Sequence, residues 1–141
     1  MSAEIEQSAG GRGTRHPRAV AILLCERAIA DSATGRVSLI GIHGEISAPT
    51  FPFTMPECYL YARLTDGSGR YAITLVLSRR RDLTEVATGD VSTMEISDPS
   101  VEFEIVAKLR GIPLAEPGFY DLGSWANGRF VHSLSLQARR V

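Results

Sequence analysis

Residues 58–78 alternate between apolar and other side chains with a period of two, which excludes a helix there. In CYLYARLT (58–65), Leu60, Ala62 and Leu64 share one parity, and Tyr59, Tyr61 and Arg63 share the other. In RYAITLVLS (70–78), Tyr71, Ile73, Leu75 and Leu77 alternate with Ala72, Thr74 and Val76. An extended chain points successive side chains to opposite faces, so each run reads as a strand with one apolar face. Asp66-Gly67-Ser68-Gly69 between them is a turn signal, and the pair is predicted to form a hairpin.

The same signals recur along the chain. AVAILLC (19–25) is a continuous apolar run, the pattern of a strand buried on both faces. A turn at Ser32–Gly35 joins it to RVSLIGI (36–42) as a hairpin-like pair. TEVATG (84–89) and VSTMEI (91–96) read as two weaker strands, and VEFEIVAKL (101–109) as a clean one before the loop GIPLAEPG. FYDLGSW (119–125) and FVHSLSLQA (130–138) flank Asn127-Gly128, the pair a type I′ hairpin turn favours. With no amphipathic helix of ten residues or more, the expected fold is all-β: a single antiparallel two-sheet sandwich of about nine strands over residues 18–141. Residues 1–17 are polar and without periodicity, and read as a disordered leader. Gly-Gly-Arg-Gly within them is no phosphate loop, since no strand precedes it and no Gly-Lys-Ser/Thr follows.

The segment APTFPFTMP (48–56) predicts a sheet margin. Phe51, Phe53 and Met55 share a parity and are expected to be buried, while Pro52 and Pro56 remove backbone donors from one edge. Strand addition would then use another edge. The terminal run 130–138 is the first choice, because its expected outward parity, Val131, Ser133, Ser135 and Gln137, carries no charge.

Composition excludes several functions. Among 141 residues, 15 Lys and Arg face 16 Asp and Glu, so the basic excess of a nucleic-acid binder is missing. Arg79-Arg80-Arg81 is the one charge run; without aromatic neighbours it reads as a solvated turn. No apolar stretch reaches the length of a membrane span and no secretory signal is visible, so the expected compartment is the cytoplasm. Cys25 and Cys58 should there stay unbonded, with Cys25 buried.

His16, His43 and His132 show no metal-ligand spacing, and no nucleophile elbow is present. A Cys25–His43 dyad has no support in the sequence. Glu102 and Glu104 share one strand face, the pattern of a solvated surface rather than a glycosidase pair. No catalytic residue, metal or cofactor is expected.

Cys25, Gly35, Leu39, Ile40, Gly41, Phe51, Pro52 and Pro56 form a recurring pattern of a Cys, a Gly-x-x-x-Leu-Ile-Gly run and a Phe-Pro…Pro segment. Through it, residues 19 to about 78 resemble a bacterial family of small β-sandwich proteins known only as a domain of unknown function. The resemblance implies a fold and no chemistry. Pro117-Gly118-Phe119-Tyr120 resembles the tyrosine corner of immunoglobulin-like sandwiches, with Leu122 where antibodies carry a core cysteine. The Tyr120 hydroxyl is expected to reach backbone in the 110–117 loop.

One candidate patch remains. If Leu60, Ala62 and Leu64 face the core, Tyr59, Tyr61 and Arg63 face outward, and Tyr and Arg are enriched in binding patches. The expected function is a non-catalytic interaction or assembly module, binding a protein partner or itself. The alternative is a small-ligand or glycan-binding sandwich using aromatics such as Tyr59, Tyr61 or Trp125; an enzyme is a third possibility.

Overall fold

The structure, a computed structural model, describes residues 15–141. Residues 1–14 of the expected leader lie outside them. Nine strands and no helix form the described chain: β1 (Arg18–Ala30), β2 (Val37–Ile42), β3 (Glu45–Ala48), β4 (Phe53–Thr65), β5 (Gly69–Arg79), β6 (Thr84–Ile96), β7 (Phe103–Leu114), β8 (Gly118–Ala126) and β9 (Arg129–Arg140). They build two sheets, ordered β2-β1-β4-β7 and β3-β9-β8-β5-β6.

The inward parities meet between the sheets. Leu24, Cys58, Leu60 and Leu114 from one sheet pack with Leu75, Leu77, Tyr120, Leu122 and Leu136 from the other. Ala62, Leu64 and Ile105 likewise meet Tyr71, Ile73 and Ala126. Each fully buried leucine contributes about 1.5–3 kcal/mol to this core.

Strands β4 and β5 carry the alternation read from the sequence, yet they do not pair. β4 lies between β1 and β7, and β5 between β8 and β6, so residues 66–68 cross from one sheet to the other. Period two identifies the buried face of a strand but not its lateral neighbour, and two strands facing each other across a core alternate just as a hairpin does. Tyr71 anchors this corner. Its hydroxyl accepts from the Ser68 N–H at 2.6 Å and lies against the carbonyls of Ser68 (2.8 Å) and Arg15. Arg15 also bridges Ser68, and Pro17 is fully buried, so residues 15–17 belong to the domain and not to a leader.

Other expectations change with the packing. The β3–β9 pair is parallel, so the sandwich is not wholly antiparallel. β6 is one strand with a bulge near Val91, not two. β7 continues through the expected loop to Leu114; Pro113 is tolerated because β7 is an edge strand that pairs with β4 alone. β1 is buried on both faces only at Leu24 and Cys25, which are fully buried; Val20 and Ile29 are exposed, because no third layer covers its outer side.

The proline-rich segment spans the end of β3, a bend, and the start of β4. Met55 is buried, and Phe51 and Phe53 pack half-buried against the core. β4 is central rather than marginal, but residues 53–57 pair only with β7, since β1 joins from Tyr59 onward. β9 is not a free edge along its length, because Gln137 and Ala138 pair with both β3 and β8. A bulge between Ser124 and Trp125 turns Val131 inward and leaves Phe130 exposed. The β1–β2 and β8–β9 hairpins form as read, with Asn127 and Gly128 at φ of 52° and 79°, the type I′ signature.

Candidate functional site

The outward face of the sheet β2-β1-β4-β7 gathers the candidate residues. Cross-strand register sets two rows over it. Leu23 on β1 lies opposite Tyr61 on β4, which lies opposite Val106 on β7. Ile42 on β2 lies opposite Cys25, then Tyr59, then Lys108. Ile40 extends the face beside Arg27. Ile40 and Ile42, neighbours on β2, are 48% and 56% exposed, and Val106, on β7 at the opposite margin of the sheet, is 45% exposed, all unusually open for aliphatic side chains.

Charges close the two ends of this face where β4 meets β7. At one end Arg63 lies 3.5 Å from both Glu102 and Glu104, and the Tyr61 hydroxyl donates to Glu104. Burial first, and the Glu104 carboxylate second, push the Tyr61 phenol above its ordinary range. At the other end Glu57 pairs with Arg110 at 3.2 Å and Lys108 at 3.8 Å, and the Lys108 ammonium sits 5.8 Å from the Tyr59 ring centre. Tyr59, Tyr61 and Arg63 therefore share one face, each oriented by a residue of β7. Ile40, Ile42, Leu23 and Val106 were missed from the sequence. For Leu23 the signal was the continuous apolar run of β1, which reads as double burial until the layer count is known. Ile40 and Ile42 needed the placement of β2 beside β1, and Val106 stands on the parity of β7 that also carries Glu104 and Lys108.

Elsewhere the candidates separate. The arginine run is ion-paired rather than merely solvated: Arg79 holds Asp82 and Glu116, Arg81 holds Glu116, and Arg80 holds Asp121 at 2.7 Å. Its charge is spent on carboxylates of the same chain. Arg80 also stacks over the exposed Phe119 ring. Trp125 lies over Gly123, whose added Cβ would stand 2.6 Å from the indole ring, and meets Phe130 edge to face. His16 Nε2 donates to the Phe130 carbonyl at 2.6 Å, and the His43 N–H donates to the Leu24 carbonyl. No group of three or more His, Cys, Asp or Glu is placed to hold a metal among the described residues.

Both cysteines are unbonded and fully buried. Burial raises both thiols, Cys58 to about 11. Tyr120 is buried, and its hydroxyl donates to the Glu116 carbonyl at 2.6 Å, four residues upstream. That is the tyrosine-corner contact, at the start of the strand beside the last one.

No helix among the described residues is long and apolar enough to cross a membrane. No curated protein matches the chain. Among solved structures, the alkylpurine DNA glycosylase AlkC of Pseudomonas fluorescens, bound to DNA with an abasic-site analogue, superposes with a TM-score of 0.50 at 8% identity. The match covers 84% of this chain and 30% of the glycosylase, so the chain spans under a third of that protein. An immunoglobulin-like protein from Pseudomonas aeruginosa matches with a TM-score of 0.45 at 15% identity, covering 89% of this chain and 98% of that one. The sensor domain of the anti-sigma factor RsgI4 of Pseudobacteroides cellulosolvens matches with a TM-score of 0.38 at 15% identity, over 67% of this chain and 86% of that one. These likenesses concern the fold alone. A family model spans residues 20–139, and the chain belongs to that family of unknown function, DUF6941.

Proposed function

We propose that the chain is a non-catalytic interaction module that docks a protein partner on the outward face of its four-stranded sheet. One observation carries the reading. Leu23, Ile40, Ile42, Tyr59, Tyr61 and Val106 form a contiguous apolar band that no other part of the described chain covers, with opposite charges at its ends. Aromatic and aliphatic anchors inside a polar rim are the composition of a protein interface. A partner presenting an apolar centre flanked by both charge signs fits it. The glycan alternative has less support, because one face of Trp125 is already packed on Gly123. Two unbonded cysteines support a cytoplasmic setting.

The test compares the native chain with Ile42→Asp as baits in an extract of its source organism. Ile42 is exposed, so the variant should keep the native melting temperature. A partner retained by the native chain and lost by the variant supports docking on this face. A partner retained equally by both overturns it.

A further inference from the structure

We propose that a second copy of this chain pairs antiparallel with the free edge of β7, on a two-fold axis at Val106. The two four-stranded sheets then join into one continuous sheet. β7 ends its sheet and pairs with β4 alone. Edge strands usually carry charge to discourage pairing. Here the charge is ordered: along the outward parity the residues run Glu102, Glu104, Val106, Lys108, Arg110. An antiparallel copy centred on Val106 sets Glu104 opposite Lys108 and Glu102 opposite Arg110, each twice by symmetry, with Val106 opposite itself. The inward parity obeys the same register, Phe103 meeting Leu109 and Ile105 meeting Ala107.

Neighbouring registers fail. A slip of one residue turns the apolar parity of one copy outward. A slip of two sets Val106 against Glu104 or Lys108. Parallel addition in matching register opposes like charges, which is destabilising.

The strand beneath does not cancel these charges. On β4, one guanidinium, Arg63, faces two carboxylates, and one carboxylate, Glu57, faces two cations. One carboxylate is left in excess at one end of β7 and one cation at the other. Antiparallel pairing brings each excess onto its opposite. Pro113 lies beyond the paired stretch 102–110, so no donor is lost within it. The cleft between β6 and β7, with Leu75, Val91, Met94, Ile105 and Leu109 among its lining, opens beside this edge and would be covered by the second copy. The central Tyr61–Val106 row would also continue across the axis, doubling the proposed docking face.

The experiment uses the purified chain without any partner, so its failure leaves the docking reading untouched. Sedimentation velocity over a concentration series at low salt should give twice the monomer mass for the native chain. E102K/E104K and K108E/R110E should each raise the dimer dissociation constant more than about tenfold, since exposed pairs are individually weak but act together. Mixed with each other, these two variants should form a heterodimer, because every cross-strand pair then regains opposite signs. The fourfold variant combining both exchanges should dimerise again by itself. Rescue on mixing separates lost pairing from lost folding. A native chain that stays monomeric throughout the series overturns the proposal. So does a native dimer matched in affinity by each reversed variant, or a pair of monomeric variants that ignore each other.

Discussion

Asn127 and Ala72 hold each other through two hydrogen bonds: the Asn127 N–H donates to the Ala72 carbonyl at 3.0 Å, and the Ala72 N–H donates to Asn127 Oδ1 at 2.8 Å. Asn127 Nδ2 adds a third bond to the Arg70 carbonyl at 2.8 Å. The tip of the β8–β9 hairpin is thereby fixed to the first residues of β5.

Asn127→Gly separates the two duties of this residue. Glycine accepts the positive φ of the turn, so the hairpin geometry survives. The Ala72 N–H and the Arg70 carbonyl lose their partners. A loss of about 1–2 kcal/mol is expected in urea unfolding, with the m-value unchanged. Asn127→Asp keeps the acceptor and should lose less. If Gly were as stable as Asn, the docking bonds would contribute nothing.

Tyr120→Phe removes one buried hydroxyl and leaves the ring in place. The Glu116 carbonyl loses its donor, and the Glu116 N–H loses an acceptor at 3.4 Å. The expected cost is about 1–2 kcal/mol by thermal or urea unfolding. Tyr71→Phe should cost at least as much, because that hydroxyl serves Ser68 and also ties Arg15 to the corner. Tyr71→Phe alone should speed proteolysis at Arg15, and equal protection of the two variants would refute the assigned anchoring role.

The cysteines supply a chemical check. Both thiols are shielded from solvent, and burial keeps them protonated at neutral pH. Ellman's reagent at about pH 8 should titrate neither in the native protein and both in denaturant. Fast reaction of Cys25 in the folded state would mean that its cross-strand neighbours Tyr59 and Ile42 do not keep its thiol covered.

The parts of this fold legible from sequence were those whose local chemistry has one solution. Asn127-Gly128 needs two positive φ values, and Pro117-Gly118-Phe119-Tyr120 places a phenol where a corner needs one. Lateral neighbours were not legible. Leu64 and Tyr71 announce a common core, and that core is reached across the sandwich rather than along one sheet. Bulges were invisible too, and one of them sends Val131 inward and Phe130 outward against the alternation. For the candidate face, Tyr59, Tyr61 and Arg63 follow from the parity of β4 alone. Ile40 and Ile42 join them only once β2 is known to lie in the same sheet. The order of charge along β7 was plain in the sequence, but it acquires meaning only when β7 is an edge.

The arginine corner sets a pH dependence. Asp82 accepts from Arg79 Nη2 at 2.9 Å and Nε at 3.2 Å, and from the Thr84 N–H at 3.1 Å. The Arg79 bonds first, and the Thr84 N–H second, hold its carboxyl well below the ordinary carboxylate range. Arg81 first, and Arg79 with it, lowers Glu116 as well. Both groups bind protons less readily folded than unfolded, so their contribution is complete above the unfolded pKa, about 4. It is lost as pH falls through the lower folded values. Native stability should therefore drop below about pH 5 more steeply than that of Asp82→Asn, which cannot titrate there. The two curves should approach each other in acid, and the gap at neutral pH should shrink in high salt, since these pairs are exposed. Urea midpoints from about pH 2.5 to pH 7 measure both effects. Curves that stay parallel down to the acid limit would show that the Arg79–Asp82 pair adds nothing to the folded state.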